Sequence, residues 1–175
     1  MDRALADLRA SGFPIDWRTI YVGWQGVETC TVATFRLTGN AVAEHAREVL
    51  ADAAGTPDEY PVFLLADAAP GDWQMMEREL SRLAERSDAS PERSLRIWRY
   101  AHLLRAEHRL RSADGRDIAD RLQIVIDATF DWGELVSERP LTLGWWYPET
   151  EENLAEVTGL LRRWLDEERR ELLGD

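Results

Sequence analysis

Lysine is absent from the 175-residue chain, and all of its 21 basic residues are arginine. A Schiff base on a side-chain amine and a phosphate loop that depends on lysine are therefore both excluded. Cysteine is almost as scarce. Cys30 stands alone, so no intramolecular disulfide can form, and a buried thiol in a reducing compartment is the plain reading. Histidine is limited to His45, His102 and His108, none of them three or four residues from another. With neither an HExxH arrangement nor a Cys/His cluster, no metal site is expected, and no cofactor. The glycines are isolated and form no GxxxxGK[ST] or GxGxxG cradle. Long apolar runs are missing too. A run such as Pro61 to Ala66 is far short of the roughly 20 residues that a bilayer requires. The opening MDRALADLRASGF lacks the basic-then-apolar layout of a secretory signal. These absences predict a cytoplasmic protein without membrane attachment.

What is present is acid. Asp and Glu number 33, for a formal net charge of −12. A surface of that sign repels nucleic acid phosphates and anionic lipid, so neither is expected as a partner, whereas a basic protein is attracted. Solubility alone is the competing explanation of the charge. The length suits one helical domain over residues 1–175, able to bury roughly two-thirds of the surface its unfolded form exposes without any staple. Arginine forms planar bidentate pairs with carboxylates, so Arg–Glu pairing between helices should be frequent.

Helical punctuation dominates the chain. Arg3 to Arg9 form a leading helix closed by Gly12 and Pro14. Asp16 stands at an N-cap ahead of Trp17, Ile20, Tyr21 and Trp24, which share one helical face. VETCTVATFRLT, residues 27–38, fits neither period cleanly, and a short hairpin or irregular segment is expected near 27–40. From Ala41 a helix carries Val42, His45, Ala46, Val49 and Leu50 on one face. Pro61 opens a short, nearly all-apolar helix, Val62 to Ala66, that should be buried. Asp72 caps the next, with Trp73, Met76, Leu80 and Leu83 inward. Ser90 and Pro91 launch a long helix to about Arg111. Asp117 begins another through Phe130, and Thr150 caps the last, with Leu154, Val157, Leu161, Trp164, Leu165 and Leu172 along it. Seven or eight helices give an all-α or predominantly α domain.

No catalytic constellation emerges, and a non-enzymatic protein is expected. Asp127 and Asp131 lie four apart; such a pair can hold a divalent metal or perform acid–base work, and it can equally cap or pair with Arg121 and Arg139. Asp127 to Glu156 is the richest stretch, with eight acids against the single base Arg139. Trp145, Trp146, Tyr147 and Pro148 are embedded in it. Aromatics ringed by acids have the layout of a hot spot facing a basic partner. The alternative is that the tryptophans fill the core while the acids are merely solvated. Upstream, Arg93, Arg96, Arg99, Arg105, Arg109 and Arg111 stud the long helix, where pairing with the acidic segment is their expected use.

Two stretches resemble a bacterial family. IDWRTIYVGWQG, residues 15–26, is similar to the N-terminal signature of domain-of-unknown-function family 2247. DIADRLQIVIDATFDWGEL, residues 117–135, resembles its later acidic-aromatic signature, and WWYPETEENL, residues 145–154, stands at the family's tyrosine-proline turn. The chain departs from the pattern at Val27 to Asn40, where an insertion or local hairpin would fit. The resemblance implies a cytoplasmic, acidic, helical protein with no catalytic residues to carry over, and some members look like immunity proteins of bacterial toxin systems. The expected function is thus binding, with a basic protein toxin as partner. The contact residues expected are Asp131, Glu134, Glu138, Trp145, Trp146, Tyr147, Glu149 and Glu152. A self-associating structural or regulatory helical module, hence a homo-oligomer, is the alternative.

Overall fold

A computed structural model of the chain describes residues 3–28, 34–69, 71–113, 115–129, 132 and 148–174. Among them stand eight helices and one minimal strand pair. In chain order these are α1 (Arg3–Ser11), α2 (Trp17–Gln25), β1 (Val27–Glu28), β2 (Thr34–Phe35), α3 (Gly39–Ala53), α4 (Glu59–Ala66), α5 (Trp73–Arg86), α6 (Pro91–Ser112), α7 (Ile118–Thr129) and α8 (Glu151–Leu173). The predominantly α class follows, and the ambiguous segment resolves into a pair of two-residue strands. β1 and β2 are antiparallel, with Val27 opposite Phe35 and Glu28 opposite Thr34.

The helix starts obey local chemistry. The Asp16 carboxylate accepts from the Thr19 amide at 2.8 Å, Thr38 Oγ1 from the Ala41 amide, and Thr150 Oγ1 from the Asn153 amide. Each satisfies an amide that the first helical turn leaves without an intrahelical partner. Ser90 Oγ likewise accepts from the Arg93 amide, with Pro91 next in the chain. Asp72 differs from expectation. It precedes α5 but makes no side-chain bond to it, because its carboxylate turns back to accept from the Ala69 amide. Gly174 ends α8 in the left-handed region at φ 77°, where its amide donates to Arg170 and Glu171 carbonyls.

The chain divides into two compact units, the boundary falling inside α6 after Ser94. In the first, α4 packs against α3 and α5, and α5 also against α2. Its core includes Leu5, Leu8, Ile20, Trp24, Val42, Ala46, Val62, Leu65, Met76, Leu80 and Leu83. In the second, α7 packs against α8, and Trp98, Leu103, Leu110, Leu122, Val125, Leu154, Leu161 and Trp164 are buried. Among the described residues no helix is long and apolar enough to cross a membrane.

Two inward assignments fail. Phe63 of α4 is 51% exposed and Trp73 of α5 is 50% exposed. An eight-residue helix flanked by two neighbours buries only part of its circumference, so Pro61, Val62, Leu65 and Ala66 go inside while Phe63 and Tyr60 remain in solvent. Trp73, at the first position of its helix, lies over Trp24 instead of entering the core. The two rings stack with centroids 4.8 Å apart.

Candidate partner-binding surface

Of the eight expected contact residues, Asp131, Glu134, Glu138, Trp145, Trp146 and Tyr147 lie outside the described residues. Glu149 and Glu152 are described, and both are exposed at the head of α8. Glu151 and Glu152 occupy its first turn, where a carboxylate gains roughly 0.3–1 kcal/mol from the positive end of the helix dipole. Glu156 follows one turn on, also exposed. Only Glu151 approaches a described cation, with Arg121 Nη1 at 3.9 Å. Glu149, Glu152 and Glu156 have no cationic partner among the described residues. Trp132 behaves otherwise. It is buried, its ring tilted toward His102 at a centroid separation of 6.0 Å. Asp127 is exposed and accepts from Gln123 one turn earlier on α7.

Two arginines of the studded helix meet acids beyond the Asp127–Glu156 segment, most of which lies outside the described residues. Arg96 donates through Nε and Nη2 to both oxygens of Glu168 at 2.8 Å, and through Nη2 to Glu171 at 2.7 Å. Arg99 Nη2 donates to Glu168 at 3.0 Å, and its guanidinium lies 4.8 Å from the Trp164 ring centroid. These acids belong to the last turns of α8, well beyond Glu156. Spacing explains the pairing. Arg96 and Arg99, three apart on α6, share a face that meets one face of α8, and a planar guanidinium matches a carboxylate bidentately.

The first unit holds a surface that sequence reasoning missed. Leu50 and Ala54 of α3, Thr56 and Pro57 of the connection, and Glu59, Tyr60 and Phe63 of α4 line a cleft of about 450 Å³. Tyr60 is 66% exposed. The signal was the composition of α4 itself. A helix with apolar residues all round, packed on two sides only, must leave an apolar strip uncovered. Between α2 and α5, the buried Trp24 gives its indole N–H to Glu77 at 2.6 Å, and the Tyr21 hydroxyl donates to the same carboxylate at 2.9 Å. The Tyr21 hydroxyl also accepts from Gln25 Nε2. Burial together with the bond to Glu77 pushes the Tyr21 phenol up from its ordinary range. The polar residues of IDWRTIYVGWQG thus cap α2 and bind it to α5.

His45 of α3 is buried edge-on against Trp17, ring centroids 5.1 Å apart. Burial holds its imidazole below the usual histidine range. Among the described residues no three His, Cys, Asp or Glu side chains gather as a metal cluster.

Residues 5–169 match the model of a family described as an uncharacterized protein conserved in bacteria, DUF2247. The chain belongs to that family. The match runs through both DUF2247 signatures quoted from the sequence, and in each the described residues have structural duties. In residues 15–26 they are the Asp16 cap and the Tyr21–Trp24–Glu77 cluster. In residues 117–135 they are the buried Leu122, Ile124, Val125, Ala128 and Trp132. Comparison with curated proteins and with solved structures returns no match. The DUF2247 description names no activity, so any function must be argued from the chemistry of the surfaces.

Proposed function

We propose that the protein is a non-enzymatic binding protein of the immunity type, which neutralises a basic bacterial toxin in the cytoplasm by covering its functional surface. The observation that carries this reading is the set of exposed carboxylates at the head of α8. Several carboxylates elsewhere meet arginines, among them Glu44 and Glu48 with Arg9, Asp58 with Arg86, Glu107 with Arg111 and Arg162, and Glu168 with Arg96 and Arg99. Glu149, Glu152 and Glu156 have no such partner among the described residues, and in the sequence they directly follow Trp145, Trp146 and Tyr147. Unneutralised acid beside aromatics suits a basic partner. Charge complementarity speeds encounter, and desolvated aromatics supply the holding energy.

The test is co-expression with the product encoded immediately upstream, followed by pull-down at several salt concentrations. A neighbour that is toxic alone, and is neutralised through a tight, salt-sensitive complex, upholds the reading. A harmless neighbour that binds nothing refutes it. Within such a complex, reversing Glu149 and Glu152 to Arg should weaken binding without changing the circular dichroism spectrum. Unchanged affinity would remove this surface from the interface.

A second reading draws on the first unit, where Tyr60, Phe63 and Trp73 are large exposed aromatics. A module that self-associates through them would show concentration-dependent sedimentation. Monomeric behaviour at all concentrations would rule it out.

A further inference from the structure

A second cavity of the first unit lies where β2 leads into α3 and α5 begins. Arg36, Leu37, Thr38 and Trp73 line it, and it encloses about 370 Å³. It shares no lining residue with the Tyr60–Phe63 cleft. Its walls are held by contacts within the unit. Arg36 Nε donates to the Trp24 carbonyl at 3.3 Å, and the Leu37 amide donates to the Gly23 carbonyl at 2.8 Å. Both bonds tie the segment after β2 to the end of α2. Thr38 is fixed as the cap of α3. Trp73 stacks by one face on the buried Trp24, which is anchored in turn through its indole N–H on Glu77.

Two groups in these walls are left with capacity to spare. Trp73 is half-exposed, so the ring face turned away from Trp24 is open to solvent. Arg36 is exposed, its Nε meets only a neutral carbonyl, and its Nη groups engage no described residue. No carboxylate stands among the described residues that line the cavity. The two acids nearest Trp73 in the chain are occupied elsewhere. Asp72 accepts from the Ala69 amide, and Glu77 accepts from Trp24, Tyr21 and Gln25. An aromatic platform and a cation without a counter-charge therefore face the same small space.

We propose that this cavity binds a small molecule that carries one carboxylate on a flat aromatic ring system. The ring stacks on the open face of Trp73, as a third layer over Trp24, and the carboxylate accepts charge-assisted hydrogen bonds from the Nη side of Arg36. Size and charge narrow the ligand. The volume lies near the small end of the roughly 300–1,000 Å³ typical of ligand sites, which suits one or two rings. One guanidinium matches one carboxylate, whereas the net charge of −12 disfavours a polyphosphate. Walls already held in place keep the cost of ordering low. The site is independent of the acids of α8 and of any protein partner they meet.

The experiment is isothermal titration of the full chain with phenylacetate and with indole-3-acetate, compared with acetate, which lacks the ring, and indole, which lacks the charge. The expected result is saturable one-to-one binding of at least one aromatic carboxylate, with Kd of about 1 mM or tighter. Acetate and indole should each bind at least about tenfold more weakly. Arg36→Gln should weaken binding of the aromatic carboxylate by about tenfold and leave that of indole unchanged. Trp73→Leu should weaken it by about fivefold. Should a variant fold poorly, the preference of the wild-type chain for the aromatic carboxylate over its two fragments still decides. Absence of saturable binding of both aromatic carboxylates overturns the proposal. So does equal binding of either fragment, or an affinity unchanged in both well-folded variants.

Discussion

Glu168→Ala is the most informative single perturbation of this fold. The Glu168 side chain has no exposure to solvent, and it accepts three hydrogen bonds from guanidiniums, two from Arg96 and one from Arg99. Arg99 is itself only 1% exposed. Truncation takes from that buried cation, beside the Trp164 ring, the carboxylate to which it donates, whereas Arg96 keeps Glu171 at 2.7 Å. Removing one partner of a buried ion pair costs about 3–5 kcal/mol. The retained Arg96–Glu171 bond places the loss near the lower end, about 3 kcal/mol. For a chain of this size that corresponds to a fall in melting temperature of roughly 6–12 °C. Urea denaturation followed by tryptophan emission measures it, with Trp164 lying in the network. The pH dependence gives an independent check. Burial alone would push the Glu168 carboxyl up, but the hydrogen bonds and charges of Arg96 and Arg99 outweigh it and hold the group below the ordinary glutamate range. Its contribution is therefore fully present above the unfolded value of about 4.3 and is lost as pH falls through the lower folded value. Wild type should lose this increment in acid, and Glu168→Ala should lack it. A cost under about 1 kcal/mol would mean that the network behaves as a solvated surface pair, and the assignment of Arg99 as a buried cation would be wrong.

Two further outcomes follow from single contacts. Asp16→Ala removes the cap of α2 and should cost about 1 kcal/mol in the urea midpoint, while Asp16→Ser, which still caps, should retain most of it; equal damage from both would refute the capping role. His45 is held below its ordinary value chiefly by burial, with Arg9 acting in the same direction and Glu48 and Asp16 opposing. The folded state therefore resists protonation, and stability present above the ordinary imidazole value of about 6.5 declines as pH drops below it. Comparing urea midpoints near pH 7.5 and 5.5 should show a decline in wild type that His45→Gln removes, and identical slopes in the two proteins would contradict this.

Helices were readable because their ends are written in short-range chemistry. Asp16, Thr38, Ser90 and Thr150 each accept from an amide three residues on, and the i, i+3, i+4 stripe of α8 fell inside as its spacing required. The hairpin of β1 and β2 was harder, since a two-residue pairing is too short to show a period of two. What sequence could not supply was the depth at which each face is covered. Phe63 and Trp73 have the hydrophobicity of core residues, and their exposure depends on how many neighbours α4 and α5 have, a long-range property. Partner choice among charges was equally hidden. Arg96 and Arg99 meet Glu168 and Glu171, acids that the sequence did not single out, because chain order does not say which turn of α8 lies beside α6. The cavity between Arg36 and Trp73 escaped notice for the same reason. Its two side chains come from distant parts of the chain, and no local motif joins them.

An all-arginine basic complement gives these pairings a common logic. Each guanidinium carries several donors in a rigid plane, so one arginine can bind two acids, as Arg96 does with Glu168 and Glu171 and Arg9 does with Glu44 and Glu48. One carboxylate can likewise bind two arginines, as Glu107 and Glu168 do. Such sharing lets 21 cations hold helices together within each unit while acids remain in excess. Where the excess collects is then decided by which carboxylates lack an arginine across from them. At the head of α8 the helix dipole already stabilises Glu151 and Glu152, so acids are tolerated there without cationic partners. Surface charge that folding does not require is free to serve recognition. That physical distinction separates Glu149, Glu152 and Glu156 from the paired acids, and it is why charge reversal at Glu149 and Glu152 should change binding at a stability cost of only about 1–2 kcal/mol, the lost and reversed interaction with the helix dipole.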